Sequence, residues 1–200
     1  MGVDFSDDER LLIIGDSAGI ISCFDIEAEK LIFSFKAHDS SIESIFFSDE
    51  NNTIVSGSTD KTVKVWDYDS QKCTTVFKGH SDWVREIAIS RKNKIAVSVS
   101  EDKSVISWNL SKQSINFQKK YHNSWVDTVD VEEDKNLFAS SGHQGEIYIC
   151  HLHNGEKSKL LTNPTNQWIR ELKFLEKTDL LAATGDDGKI HIFDLSLIHI

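Results

Sequence analysis

A histidine, a serine and an aspartate occur in this sequence in an arrangement that could support hydrolytic chemistry. His38, Ser56 and Asp60 are the first such set. In a Ser-His-Asp triad the histidine takes the proton of the serine that attacks the substrate, and the aspartate holds the histidine in the required tautomer. No G-x-S-x-G motif accompanies the set, and no paired oxyanion donors are recognisable. We therefore expect these residues to have a structural role.

The recurrence of the set is a second argument against catalysis. His80, Ser98 and Asp102 repeat the three residue types 42 positions later, and each set is followed by a tryptophan, Trp66 or Trp108. Buried polar side chains that satisfy one another in a network can lock a loop to a strand, and the loss of one member leaves the others without partners. A device of this kind can be used in every copy of a repeat.

Three histidines suggest a metal site at first sight. His151 and His153 are two residues apart, so they share one face of a strand, and His143 precedes them. No further ligand follows at a suitable spacing, and Asn154 and Gly155 turn the chain next to the pair. We interpret the three as solvated histidines near strand ends, and we expect neither a metal site nor a cofactor.

The elements that carry these residues repeat with a period of 42. His38, His80 and His122 mark the period. Within a copy, short alternating strands such as 53–56 and 62–66 are separated by turn residues, and no helical period is long enough to compete. A repeat of this length is typical of a solenoid or a propeller, and here it predicts an all-β chain.

The motifs resemble those of the WD-repeat β-propeller family. The most specific copy runs from Ala37-His38 through the turn 56–60 to Trp66-Asp67, and the resemblance covers residues 3–195. It implies four-stranded blades that stack around an axis, because one blade cannot bury both of its apolar faces alone. The implied repeats, about four and a half in number, end near residues 26, 68, 110, 152 and 195.

The resemblance also gives the recurring polar set its role. In the family's structural tetrad the tryptophan N–H bonds the serine oxygen, the serine bonds the histidine, and the histidine donates to the aspartate. The residues at those positions are His38, Ser56, Asp60 and Trp66 in one copy, and His80, Ser98, Asp102 and Trp108 in the next.

The strand count predicts an incomplete propeller, an open arc of blades. The first copy begins inside its first strand, and the fifth stops after Phe193-Asp194, so the chain has roughly 19 strands. A propeller of seven blades with this repeat length would need about 300 residues. Residues 196–200 read like the translation of a sequencing adaptor, so we assign 1–195 to the repeat domain and expect 196–200 to be non-native. Exposed terminal blades predict self-association.

Composition narrows the classes of partner. The net charge of −10 and the pI of about 5.2 disfavour nucleic acid and anionic membranes as partners. The three cysteines are odd in number and lack metal-like spacing, which favours a reducing compartment. We expect a cytoplasmic protein, with a nuclear location also open.

The loop that enters each blade carries the strongest functional signal. In the family these positions gather on one face around the mouth of the ring. The tryptophans there are Trp83, Trp125 and Trp168; the charged residues are Glu43, Arg85, Asp127, Arg170, Glu101 and Asp186. Tryptophan and arginine are enriched at binding hot spots. The alternative is that each tryptophan only covers the core of its own blade.

These residues favour a non-catalytic scaffold that docks proteins or peptides. Most of the charged positions are acidic, so a partner segment with lysine or arginine, able to stack on tryptophan, fits best. A reader of modified or basic peptides is the alternative; it would use two tryptophans as an aromatic cage with Glu101 or Asp127 nearby. A propeller-based enzyme is less expected, because no catalytic groups break the repeat.

Overall fold

The computed structural model describes residues 1–48, 52–162, 167–175 and 177–196. Of the predicted non-native tail, residues 197–200 lie outside this range. Within it the chain forms nineteen strands: β1 (Gly2–Phe5), β2 (Leu11–Gly15), β3 (Ile20–Asp25), β4 (Lys30–Lys36), β5 (Ile42–Ser48), β6 (Thr53–Ser58), β7 (Thr62–Asp67), β8 (Cys73–Lys78), β9 (Val84–Ser90), β10 (Ile95–Ser100), β11 (Val105–Asn109), β12 (Ser114–Lys119), β13 (Val126–Glu132), β14 (Leu137–Gly142), β15 (Glu146–His151), β16 (Lys157–Thr162), β17 (Ile169–Leu175), β18 (Leu180–Gly185) and β19 (Ile190–Asp194).

The strands form five antiparallel meanders in chain order. Four sheets have four strands each, β1–β4, β5–β8, β9–β12 and β13–β16, and the fifth contains β17–β19. Each sheet has the strand order of a propeller blade. The prediction of an all-β fold with four-stranded blades is therefore confirmed. No helix in the described part of the chain is long and apolar enough to cross a membrane.

Burial changes across each sheet. The inner strands β10 and β14 are buried along their whole length, whereas the outer strands β12 and β16 are largely exposed. An inner strand is covered on both faces and can be apolar throughout. An outer strand meets water and is polar, which blunts its edge.

The chain divides into two compact units, residues 1–87 and 88–200. The core of the first unit lies between the sheets β1–β4 and β5–β8 and contains Ile13, Ile21, Ile42, Ile54 and Trp66. The second unit has two apolar clusters. One centres on Phe138 and Cys150, and the other on Ile149 and Leu172.

Candidate functional site

The first polar set forms a chain of hydrogen bonds inside the sheet β5–β8. Asp60 Oδ2 lies 2.8 Å from His38 Nδ1, and His38 Nε2 lies 2.7 Å from Ser56 Oγ. The indole N–H of Trp66 donates to Ser56 Oγ over 2.9 Å. Because an ionised carboxylate can only accept, we assign the His38 proton to Nδ1, so that Ser56 donates to Nε2.

This geometry reproduces a hydrolase triad but removes its nucleophile. Ser56 is 0% exposed, so a substrate cannot reach its hydroxyl. One lone pair of Ser56 Oγ also accepts the Trp66 N–H. An attacking oxygen must be accessible to its substrate, so the buried set ties a loop and two strands together and does not act as a hydrolase triad.

Asp60 is held as a carboxylate by its partners. Burial raises the pKa of the Asp60 carboxyl, but the hydrogen bonds from His38 and Thr62 outweigh burial, and the net pKa is well below its usual value. Thr62 donates to Asp60 Oδ1 from its hydroxyl over 2.6 Å and from its backbone N–H over 3.0 Å.

The second polar set shows the same tryptophan contact. Trp108 donates to Ser98 Oγ over 2.8 Å, and both residues are buried. Asp102 accepts two hydrogen bonds from Ser104, one from its hydroxyl at 2.5 Å and one from its backbone at 2.8 Å. His80 is 8% exposed.

The blade β13–β16 keeps the histidine and the serine of the polar set, and an aromatic ring packs against the histidine. His122 Nε2 still lies 2.9 Å from Ser140 Oγ. The Trp position holds Cys150, and the ring of Tyr148 packs edge-on against His122 with centroids 4.7 Å apart. Burial, aided by the positive charge of Lys157, lowers the pKa of His122 to about 3.

The three histidines considered as metal ligands do not come together as a site. Among the residues that the structure describes, no group of three or more His, Cys, Asp or Glu side chains could hold a metal ion. His143 lies in the turn before β15, whereas His151 is the last residue of that strand. The length of the strand separates them.

A β-bulge places the charged residue at the entrance of several blades. Between β13 and β14 the register shifts at Asp127, and between β17 and β18 it shifts at Arg170. The same shift falls at Glu43 in β5. A bulge inserts one unpaired residue and re-aims its side chain, so these positions project differently from the rest of their strands.

In the second unit two tryptophans, a histidine and the bulged Arg170 form a continuous series of ring contacts. The ring of His143 lies between two indoles, with centroid distances of 4.8 Å to Trp125 and 3.5 Å to Trp168. The guanidinium carbon of Arg170 lies 3.3 Å from the centroid of the Trp168 ring. We call Trp125, His143, Trp168 and Arg170 the aromatic stack.

Two carboxylates fix the aromatic stack. Trp168 donates its indole N–H to Asp127 Oδ2 over 2.5 Å, and Asp127 is largely buried. Arg170 donates to both oxygens of Asp186, from Nε at 2.8 Å and from Nη2 at 3.2 Å. These hydrogen bonds to Arg170, with its charge close by, lower the pKa of Asp186, so the pair is ionised. A bidentate pair of this kind fixes the guanidinium plane.

The stack depends on two glycines at equivalent positions. A Cβ atom at Gly142 would lie 2.1 Å from the backbone oxygen of Trp125, and one at Gly185 would lie 2.1 Å from that of Trp168. Real Cβ atoms do not approach backbone this closely, so a larger residue would push the tryptophan segment outward.

The remaining predicted residues lie partly in the first unit. There Arg85 Nη1 lies 3.9 Å from Glu43 Oε2, and Trp83, just before β9, is 45% exposed. Glu101 lies in the turn after β10 and is half-buried. Trp125 is 43% exposed.

The space that an aromatic cage would need between Trp125 and Trp168 is filled. His143 occupies it, in contact with both rings. A methylated ammonium group could enter only if His143 moved out. Nothing in this geometry favours the cage reader at that pair.

His143 is the site residue that the sequence places on the predicted docking face but that was interpreted as a solvated histidine and left out of the predicted binding residues. The sequence places it two residues after Ser141 and one before the tetrad Asp position, where it reads as a solvated histidine. Its Nε2 atom is buried without a hydrogen-bond partner, and it lies 3.7 Å from Asp127 Oδ2. The usable signal was its equivalence to Asp186, which stands 43 residues later beside Arg170.

Comparison with known families agrees with the repeat. The model "WD domain, G-beta repeat" matches residues 29–67 and 71–109. Each match begins near the outer strand of one sheet and ends with the third strand of the next, at Trp66-Asp67 or Trp108-Asn109. These two matches support a WD-repeat family for this part of the chain. No curated protein sequence matches it significantly.

Proposed function

We propose that this chain is a non-catalytic docking platform and that the aromatic stack, with Asp127 and Asp186, is a docking surface. WD repeats generally mediate protein–protein interactions and are typically non-catalytic. The observation that carries the proposal is the exposed indole of Trp125 on a stack whose members are already held in place.

Preorganisation makes this surface suited to binding. A side chain that is fixed before association loses little conformational freedom when a partner arrives. Trp168 is held by Asp127, and Arg170 is held by Asp186. Large aromatic side chains and arginine also dominate the energetics of measured hot spots. The equivalent residues Trp83, Arg85 and Glu43 extend the proposal to the first unit, and Glu101 adds a carboxylate in the second.

The favoured partner is a protein segment that carries lysine or arginine. The net charge of −10 attracts such a segment over long range. At the surface, a cation can stack on the exposed face of Trp125, as Arg170 already does on Trp168. The same net charge would repel the phosphates of nucleic acid or of an anionic membrane. A cytoplasmic or nuclear location fits this role.

The proposal can be tested with a library of random peptides displayed on phage. Peptides enriched on the wild-type chain should carry lysine or arginine, and Trp125→Ala should weaken their binding by about 2 kcal/mol, roughly 30-fold. Ile115→Ala is the matched control, because Ile115 is 45% exposed on the outer strand β12 of the same unit.

Two results would contradict the proposal. One is an equal loss of affinity in Trp125→Ala and Ile115→Ala. The other is enrichment of acidic peptides that bind Trp125→Ala as well as they bind the wild type. Trp125 and Ile115 are exposed to nearly the same extent, 43% and 45%, so the two substitutions should change the melting temperature by similar, small amounts.

A further inference from the structure

A groove in the first unit has the features of a separate docking site. It lies where the sheets β1–β4 and β5–β8 meet, and it has a volume of about 490 Å³. Sites that hold a ligand or a few side chains commonly measure about 300–1,000 Å³. Its apolar lining comes from Leu11, Ile32, Phe47 and Tyr68.

The floor of the groove is aromatic and fixed. The Tyr68 ring packs against Phe47 and Phe33, with centroid distances of 5.0 and 5.3 Å. The backbone N–H of Phe47 donates to Asp4 Oδ2 over 2.7 Å, which ties the strand β5 to β1 across the junction of the two sheets. The floor is therefore formed before any partner arrives.

The rim leaves an apolar side chain uncovered. Ile32 on β4 is 45% exposed at the groove, although it stands beside the aromatic floor. Its neighbour Leu31 is 47% exposed but is not among the described residues that line the groove. Ile32 is the unpaired residue of a β-bulge opposite Cys23 and Phe24, which re-aims its side chain.

Acidic turns surround the groove. The turns after β1, β3 and β7, residues 7–10, 25–30 and 67–72, hold eight carboxylates and three cations. At the groove itself Arg10 is neutralised by Asp25, to which it donates from Nε at 3.2 Å and from Nη2 at 3.0 Å. Asp8 and Asp69 also line the groove, so its local charge is negative.

Local hydrogen bonds hold these carboxylates in place. The hydroxyl of Ser6 and the backbone of Arg10 lower the pKa of Asp8. Asp69 accepts a hydrogen bond from Asn52 Nδ2 over 2.9 Å. The rim is thus negative at neutral pH.

We propose that this groove docks a short segment of a partner protein in which an apolar side chain is flanked by lysine or arginine. The apolar side chain packs on Tyr68 and Ile32, and the cations meet Asp8 and Asp69. The charge of the rim selects this partner over an acidic one. The site is separate from the aromatic stack and does not depend on it.

The test uses three short fluorescein-labelled peptides of equal length and fluorescence anisotropy with the whole chain. The first has leucines between lysine and arginine residues; the second has glutamate in place of the basic residues; the third has serine in place of the leucines. Only the first should bind well. Ile32→Gln should weaken it about tenfold, because the buried apolar contact is lost.

Matched variants distinguish binding in the groove from non-specific binding elsewhere on the surface. Leu31→Gln should leave binding unchanged, since Leu31 is equally exposed outside the groove. Asp69→Asn should weaken binding several-fold, more strongly at low salt, whereas Glu27→Gln, in a neighbouring turn, should have little effect.

Three outcomes would overturn the proposal. The first is that none of the peptides binds, or that all three bind alike. The second is that Leu31→Gln is as damaging as Ile32→Gln. The third is that Trp125→Ala abolishes binding of the first peptide, which would assign it to the aromatic stack. That third result would leave the proposed docking function standing while rejecting the groove.

Discussion

Removal of the Asp60 carboxylate should destabilise the first unit by an amount that follows from one orphaned hydrogen bond. In Asp60→Ala the Nδ1–H of His38 loses its acceptor at 2.8 Å, and the hydroxyl of Thr62, 3.3 Å away, is the remaining polar neighbour. The His38 side chain is 0% exposed in the folded chain, so this N–H depends on a partner within the protein. A buried donor without a partner costs about 1–3 kcal/mol.

The expected loss is therefore about 2 kcal/mol in the free energy of unfolding. For a chain of this size such a loss lowers the melting temperature by roughly 4–8 °C. Urea unfolding followed by tryptophan fluorescence measures it directly. Asp39→Ala is the matched control. Asp39 is the exposed residue next to His38 in the same loop, and only its backbone N–H, not its carboxylate, contacts Asp60.

A double-mutant cycle tests the cause as well as the size. If the cost arises from the orphaned His38 N–H, then Asp60→Ala should cost about 1–2 kcal/mol less in a His38→Leu background. Equal costs in both backgrounds, or a loss in Asp60→Ala no larger than in Asp39→Ala, would refute the reasoning and remove the structural role of the network.

Three further predictions concern the second unit. The folded state keeps His122 neutral, because its pKa is about 3 in the folded chain and about 6.5 in the unfolded chain. The contribution of neutral His122 to the free energy of unfolding is therefore complete above pH 6.5 and should fall by a few kcal/mol as the pH drops towards 3. His122→Gln should flatten this pH dependence in urea titrations. Gly142→Val should lower the melting temperature and shift the Trp125 emission, because its Cβ meets backbone. Ile190 is 72% exposed on β19, an outer strand of its described sheet, so Ile190→Lys should reduce self-association in light scattering, and unchanged particle size would count against it.

The sequence predicts the fold well because the repeat has one physical cause. Residues that alternate in and out of a blade must recur wherever a blade recurs, so the strands expected at 53–56 and 62–66 are present as β6 (Thr53–Ser58) and β7 (Thr62–Asp67). Only the strand ends differ, since a ladder continues until a turn residue interrupts it.

The sequence predicts where the residues of the candidate site lie, but not which of their side chains contact one another. The 42-residue period places Trp125, Trp168 and Arg170 at equivalent points of neighbouring copies. It does not say that the Trp168 N–H reaches Asp127 in the preceding blade, or that His143 fills the space between the indoles. Those contacts depend on side-chain directions at bulges, which a sequence pattern does not specify.

The tetrads illustrate the opposite case. Their members lie within a loop and two adjacent strands, so their spacing in sequence nearly determines their meeting in space. In the blade β13–β16 the sequence itself shows Gln144 at the position of the tetrad Asp and Cys150 at that of the tetrad Trp. It does not show that Tyr148 packs against His122, because that depends on how an aromatic ring fills the vacated volume.

The most direct test of the docking account is the response of the indole N–H resonances of the chain to a basic peptide enriched on it. The sequence contains five tryptophans, so a ¹⁵N-labelled sample gives each one a resolvable probe. Trp125 and Trp168 lie in the aromatic stack, whereas Trp66 and Trp108 are buried and donate to Ser56 and Ser98. The account predicts that saturating peptide shifts the signals of Trp125 and Trp168 and leaves those of Trp66 and Trp108 in place. Shifts confined to Trp66 and Trp108, or no shift at Trp125 while the peptide is bound, would contradict it.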